Sequence, residues 1–246
     1  MKISEYVSNL DSERFGFTVA KINNFSQSPA ATINALKKDN VKLIISKINC
    51  ENLTLINQLE CLGFQTKDFQ VTYRYDIKNI GFSAADLQSE FIVREVQNND
   101  IPTIANIAQV SFENYGHYFA NKNLDPSRCR EIYKDWAERS CTSKDVADRV
   151  LVADQNGTIA GFLSFKCYTE NGKRYAAGGL GAVAPEYRNK NVFRLLVKTG
   201  LLWGKEGGLN WEEHNVLTTN YPVNRAFTKI GFTVFKSFVT LHHWNG

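Results

Sequence analysis

The stretch Leu180-Gly-Ala-Val-Ala-Pro-Glu-Tyr-Arg-Asn-Lys-Asn-Val-Phe-Arg-Leu-Leu-Val197 constrains this chain more than any other. An apolar run enters Pro185, a polar basic loop follows, and an apolar pattern of helical period starts near Val192. Strand, loop and helix in that order is the building unit of an α/β sheet protein. Successive backbone N–H groups in such a loop, backed by a helix N-terminus, make a site for a pyrophosphate. Arg188, Lys190 and Arg194 add positive charge there. An ordinary strand-to-helix turn with solvated charges fits the same pattern, so the loop alone leaves both readings open.

The remaining pattern divides into two parts. Thr18–Ile22, Val41–Ile48 and Phe69–Asp76 read as strands, and Ala30–Lys38 and Leu53–Leu62 as helices, the second ended by Gly63. Residues 1–78 are therefore a small β-α-β-α-β domain. Residues 79–90 lack periodicity and form a linker. From Phe91 the order is β-α-α-β-β-β-α-β-α-β, a larger domain over 91–246 around one mixed sheet. Its helices are opened by Asn99 or Asp100 with Pro102 in the first turn, and cover 127–141, 192–203 and 222–230. Its strands are 91–96, 149–153, 158–168, 176–183 and 215–219, with an alternating segment to Trp244. Asn156-Gly157 marks a hairpin tip. An internal echo joins the halves: Ile56–Phe64 and Asn224–Phe232 each read as a helix ending in Gly-Phe before an alternating strand.

Composition excludes several classes. Hydrophobic residues make up 43% and aromatic residues 12% of 246, enough for packed cores. Net charge is +4, too small for the basic stripe of a nucleic-acid binder but compatible with a pocket for an anionic small molecule. No apolar run approaches the ~20 residues of a membrane span, and Met1–Phe15 has no signal-peptide core, so a cytoplasmic location is expected. The five cysteines are scattered without CxxC spacing, and the four histidines form no HxxxH or HxH pair, so no metal site is expected.

Two segments resemble one family. Val183-x-Pro185-x-Tyr187-Arg188 is similar to motif A of the GNAT acyltransferases, V-x-P-x-[YH]-R-G-x-G-[IV]-[GA]. The resemblance implies that Ala182 and Val183 meet the pantetheine of acyl-CoA through backbone groups. It implies that Arg188, Asn189, Lys190, Asn191, Val192 and Phe193 cradle the pyrophosphate. Asn191 stands where glycine is usual, and asparagine tolerates positive φ. Phe193 stands where glycine or alanine is usual. Downstream, Asn220-Tyr-Pro-Val-Asn-Arg-Ala-Phe-Thr-Lys-Ile-Gly-Phe232 fits the family frame N-x-x-A-x-x-x-Y-x-x-x-G-F, with Val223 for Ala and Phe227 for the Tyr that commonly protonates the departing thiolate. Asn220 and Phe227 thereby join the expected donor site.

A narrower group is also similar. Leu10-Asp-Ser-Glu-Arg-Phe-Gly-Phe17, Ser111–Tyr118, Leu124–Pro126 and Arg130–Trp136 resemble segments of bacterial TDP-fucosamine acetyltransferases, which carry a small GNAT-like domain before the catalytic one. The resemblance implies a GNAT fold for 91–246, a dTDP-linked amino-dideoxy sugar as acceptor, a role in bacterial surface polysaccharide such as lipopolysaccharide O-antigen, and a homodimer. Arg14, Tyr115, His117, Tyr118, Tyr133 and Trp136 are the expected acceptor residues. The aromatic crowd Phe112–Phe119 fits a satellite core cluster equally well. The expected mechanism is direct attack of a neutral amine on the thioester, with an oxyanion donor near Val183. His117, His214 or an ordered water is the base, and Tyr221 or water supplies the thiolate's proton. Phe193 and Phe227 alter the usual lining and leave acetyl-CoA and a larger donor such as 3-hydroxybutyryl-CoA both open. A fold that binds acyl-CoA without turnover, or an enzyme for another amine, is the alternative.

Overall fold

The structure, a computed structural model, describes residues 3–25 and 27–245. In chain order its regular elements are α1 (Asn9–Phe15), β1 (Val19–Lys21), α2 (Pro29–Lys38), β2 (Leu43–Asn49), α3 (Leu53–Cys61), β3 (Gln65–Asp76), β4 (Ile92–Glu95), α4 (Ile101–Ser111), α5 (Gly116–Phe119), α6 (Pro126–Thr142), β5 (Arg149–Gln155), β6 (Thr158–Glu170), β7 (Lys173–Val183), α7 (Val192–Glu206), β8 (Trp211–Leu217), α8 (Tyr221–Ile230) and β9 (Thr233–Trp244). Short 3-10 turns connect several of them.

The chain forms two compact units. Unit 1 is built from residues 1–71, 114–129 and 236–246, and unit 2 from 72–113 and 130–235. Each unit thus contains the end of a long strand that begins in the other: β3 passes from unit 1 to unit 2, and β9 from unit 2 to unit 1.

In unit 1, β1 runs parallel to β2, and β2 pairs antiparallel with β9 from Leu43↔Trp244 to Asn49↔Phe238. Period-2 alternation separates two faces. Ile44 and Ile48 of β2 and Val239 and Leu241 of β9 join Leu36, Leu59 and Phe64 in one apolar core, to which α2 and α3 contribute. Each such side chain contributes about 1.5–3 kcal/mol on burial. The intervening residues Lys47, Thr240 and His242 belong to the other face. Helix α1, which the periodicity does not announce, is short and owes its ends to local chemistry. Ser8 accepts from the Asp11 amide at its start, and Gly16 closes it at φ 75°.

In unit 2, β4, β5, β6 and β7 form an antiparallel run, and β8 adds parallel to β7. The β5–β6 turn carries Asn156 and Gly157 at φ 51° and 86°, the left-handed pair a tight hairpin requires. Arg94 on β4 donates to Asp100 at 2.7 and 3.0 Å and to Asp154 at 2.8 and 3.0 Å, tying strand, helix start and hairpin together. Strand β8 begins at Trp211, four residues before the expected Asn215. The run Trp211-Glu-Glu-His214 carries two glutamates and has no β-branched residue, so it hides its strand character. The cause is that Glu212 is buried and paired inside.

Helix α7 packs on β5, β6 and β7. At Gly200 it meets Phe165, and a Cβ there would stand 2.4 Å from the ring's Cζ. Gly200→Ala would gain about 1 kcal/mol of helix propensity but overpack the core. We expect a net loss of about 1–3 kcal/mol in urea denaturation; a stabilised variant would contradict this packing.

Candidate active site

The site in unit 2 starts from how β7 and β8 part. Their parallel register runs from Tyr175↔Trp211 to Gly178↔His214 and ends there, although β7 continues to Val183 and β8 to Leu217. Within the same stretch β7 is bulged against β6. Phe165 pairs with Gly178 and Leu163 with Gly181, so Ser164 faces two residues, Gly179 and Leu180. The Ser164 hydroxyl accepts from the Leu180 amide at 2.8 Å and donates to its carbonyl at 3.1 Å. A bulge bends its strand and re-aims the residues beyond it. The result is a length of β7, Gly179 to Val183, whose β8-facing edge no longer belongs to the ladder. Ala182 and Val183 lie in that length.

Beyond β7, Pro185–Tyr187 makes a 3-10 turn and the polar loop begins. Asn189 and Asn191 both hold positive φ, 64° and 62°. Asparagine visits this region at small cost, which is why it can stand for glycine here. The two left-handed residues turn the backbone twice within three positions. The first helical hydrogen bond of α7 joins the Leu195 amide to the Asn191 carbonyl at 3.0 Å, and Asn191 makes no side-chain cap. The amides of Val192, Phe193 and Arg194 thus precede the ladder, where a helix presents donors and its positive dipole end to an anion. Arg188 and Lys190 are exposed beside them, and Arg194 contacts Asn191 at 3.4 Å.

Phe193 follows this loop as the second residue of α7. Its ring packs edge-on against Phe227, with centroids 5.5 Å apart. Phe227 is 1% exposed and packs on Tyr73, Phe232 and His214, at 5.4, 4.9 and 4.7 Å between centroids. Two of the four residues that depart from the expected motifs therefore pack on each other.

His214 lies at the fork itself. A Cβ on Gly178 would fall 1.9 Å from its Nδ1, so the imidazole occupies the place of a side chain at 178. Its Nε2 is 2.6 Å from Glu212 Oε1, and both residues are buried. Burial pushes the Glu212 carboxyl above its ordinary range, and the His214 hydrogen bond and charge offset part of that rise. Sequence reasoning alone does not single out Glu212. The i, i+2 spacing to a histidine on one strand face is the signal available for it. Asn220 caps α8 by accepting from the Val223 amide, and Tyr221 at the helix start is 63% exposed.

The other expected residues fall elsewhere. Arg14, Tyr115, His117 and Tyr118 belong to unit 1, and Tyr133 and Trp136 to unit 2. Tyr133 stacks on Phe112 at 4.7 Å. In unit 1, the Tyr118 hydroxyl donates to Asp11 at 3.1 Å, and Arg14 and Lys21 pair with the same carboxylate at 3.2 and 2.5 Å. Burial alone would raise the Asp11 carboxyl. The charge of Lys21 and hydrogen bonds from Lys21, Ser8 and Tyr118 outweigh it and hold the carboxyl below its ordinary value.

His117 Nδ1 lies 2.8 Å from His242 Nε2, and His242 Nδ1 lies 2.7 Å from Asn121 Nδ2. Burial, with the charge of Lys67 and Lys21, lowers His242 to about 3, and burial lowers His117 well below the usual imidazole range.

A family model for the GNAT acetyltransferases matches residues 104–232, just over half of the chain. The chain belongs to the GNAT acetyltransferase family. The family uses acyl-CoA as donor, and the forked strands and the loop before α7 fit that role. A search of curated proteins found no match to this acetyltransferase. Among solved structures it is similar to a tandem GNAT protein from the clavulanic acid biosynthesis pathway, at 14% identity over 93% of this chain and 75% of that one, with a TM-score of 0.65. It is also similar to a GCN5-related N-acetyltransferase from Sphaerobacter thermophilus, at 13% identity, 97% and 75% coverage and a TM-score of 0.61. A GCN5-related N-acetyltransferase from Kribbella flavida matches at 11% identity, 93% and 82% coverage and a TM-score of 0.61. At these identities the likeness is one of fold, an α/β arrangement with a mixed sheet. Among the described residues no helix is long and apolar enough to cross a membrane, and no group of three or more His, Cys, Asp or Glu could hold a metal ion.

The buried imidazoles give a prediction. His242 has a folded pKa of about 3 against about 6.5 unfolded. The unfolded state therefore binds more protons between those values. The stability from burying the neutral ring is present above pH 6.5 and is lost as pH falls towards 3. From pH 7.5 to pH 5 the wild type should lose about 1–2 kcal/mol more than His242→Gln. Parallel pH profiles for the two proteins in chemical denaturation would contradict it.

Proposed function

We propose that the protein is an N-acyltransferase that moves an acyl group from acyl-CoA to the amine of a dTDP-linked amino-dideoxy sugar, for bacterial surface polysaccharide. The observation that carries the acyl-transfer half is the fork at Gly178/His214, which opens the β7 edge beside a loop and helix start suited to a pyrophosphate. The acceptor half rests on the resemblance to TDP-fucosamine acetyltransferases. One contact supports it: residues 10–17 and 111–118 carry that resemblance, and within unit 1 Asp11 accepts from Tyr118 across 107 positions, with the Phe15 and Tyr118 rings 5.8 Å apart. The echo between α3–β3 and α8–β9 supports reading residues 1–78 as a smaller GNAT-like domain before 91–246.

In the proposed step the neutral amine attacks the thioester carbonyl, forming C–N. Backbone N–H near Val183 holds the oxyanion. The C–S bond then breaks and the thiolate leaves. Phe227 has no proton to give, and a thiol of pKa about 8.5 needs less help than an alcohol, so water or the Tyr221 hydroxyl supplies it. The base is His214 or an ordered water beside it; Glu212, 2.6 Å from His214 Nε2, orients the imidazole as in a carboxylate–imidazole pair. His214→Gln should lower kcat by ~10²–10⁴, and CoA affinity measured beside it separates loss of the base from loss of the fork. Undiminished kcat would remove His214 from the mechanism.

The donor is acetyl-CoA or a larger ester such as 3-hydroxybutyryl-CoA, since the Phe193–Phe227 pair reshapes the lining. Incubation with both donors across a panel of dTDP-amino sugars, followed by free-thiol release, tests the reading. Thiol release with no acceptor sugar but with another amine would replace the acceptor, and CoA binding without turnover would make the protein a binding module. Arg188→Ala with Lys190→Ala should weaken CoA binding at least tenfold, more so at low salt, because these charges meet phosphates. Equal affinity in the double variant would overturn the loop assignment.

A further inference from the structure

Unit 1 holds a chain of hydrogen bonds whose direction is fixed at one end. Trp244 Nε1 and the Asn123 backbone amide both contact Asn121 Oδ1, at 3.3 and 3.2 Å. Both can only donate. The Asn121 oxygen must therefore face them, and its Nδ2 must face His242. Nδ2 can only donate, so His242 Nδ1, 2.7 Å away, accepts. A neutral imidazole whose Nδ1 accepts carries its proton on Nε2. That proton lies between His242 Nε2 and His117 Nδ1, 2.8 Å apart. His117 Nδ1 accepts in turn, and the one remaining proton of His117 sits on Nε2. The direction of every bond follows from two N–H groups that cannot reverse.

The positions are built for this. His242 is 1% exposed and Asn121 3%, whereas His117 on α5 is partly exposed. Its ring lies 4.0 Å between centroids from the Tyr118 ring and at 77° to His242. Lys21 and Lys47 lie close enough for their charges to act on His117, and the buried Asp68 carboxyl accepts from the His117 backbone amide.

We propose that Trp244, Asn121 and His242 are positioning residues that lock His117 as a hydrogen-bond donor through Nε2, and that this donor reads a phosphate oxygen of a nucleoside diphosphate. The ligand half rests on the proposed acceptor, and the tautomer half does not. A phosphate oxygen accepts and does not donate at neutral pH, so a locked N–H suits it and a lone pair there would repel it. The same lock takes His117 out of contention as general base. To offer a lone pair at Nε2, both rings would have to switch tautomer and Asn121 would have to flip, setting its NH2 against two other N–H groups.

Asn121→Asp tests this. The carboxylate still accepts from Trp244 and Asn123, but its second oxygen now accepts from His242 Nδ1–H. His242 Nε2 then accepts from His117 Nδ1–H, and His117 Nε2 becomes a lone pair. Imidazole 15N shifts of the full chain report both states. In the wild type His117 Nε2 should be of protonated type and Nδ1 of unprotonated type, and in Asn121→Asp the two should exchange. A wild type with Nδ1 protonated, or a variant whose His117 shifts stay unchanged while His242 carries a single proton, would overturn the lock. The wild-type spectrum decides the first point should the variant fail to fold.

Binding is then measured with dTDP and, separately, with CoA. Asn121→Asp should bind dTDP at least tenfold more weakly and CoA equally well. Unchanged dTDP affinity with exchanged shifts would overturn the phosphate contact. A wild type that binds CoA but not dTDP would overturn the nucleotide assignment of both this donor and the acceptor, leaving the tautomer result to stand on its spectrum.

Discussion

The meeting of His214 with Gly178 is the contact on which the donor side of this molecule depends. Parallel strands stay paired while their backbones can keep an even spacing, and here that spacing ends at one imidazole and one missing side chain. The ring is held from several sides, by Phe165, Phe227 and Phe232 and by the Glu212 hydrogen bond, so it cannot retreat to let the ladder continue. The bulge at Gly179–Leu180, closed by the Ser164 hydroxyl, adds its own bend to β7 immediately after. Both devices act within three residues. They trade strand hydrogen bonds for an open backbone edge, a cost that a sheet sustains only because β6 still pairs along the opposite side of β7.

Unit 1 solves a different problem with the same strand logic. β9 alternates Val239 and Leu241 into the apolar core with Thr240 and His242 on the other face. Burying an imidazole without partners would cost several kcal/mol. His242 escapes that cost because both of its nitrogens are matched, one to an amide and one to a second imidazole. What it gives up is the ability to protonate, and its pKa near 3 records that. A fully satisfied buried polar network of this kind rigidifies the elements it touches.

Much of the fold was legible because its signals are local. The Pro185 loop, the Asn-Gly hairpin, the Gly63 and Gly231 helix ends and the period of α7 each depend on a few adjacent residues. The start of β8 was not, because Glu212 reads as a loop residue until its buried partner two positions on is seen. The aromatic segment 112–119 has no period, yet Gly116–Phe119 forms a helical turn and His117 meets a residue 125 positions away. Phe193 and Phe227 look like two separate departures from a motif, and only their contact makes them one feature. Periodicity carries what neighbours in sequence decide. Side-chain pairs across the fold lie outside its reach.

The two histidines that sequence offered as equal candidates for one role illustrate the limit. Each is neutral-capable, each sits near an aromatic ring, and nothing adjacent in the chain separates them. Their partners do. Under the proposed mechanism Glu212 accepts from His214 Nε2–H and leaves the far nitrogen with a lone pair, the state of a base. An imidazole on Nδ1, itself driven by an amide that two N–H groups hold in place, gives a proton and leaves the far nitrogen of His117 with a hydrogen, the state of a donor. The electrostatic sign a ring presents is thus set by what lies behind it, one or two residues removed.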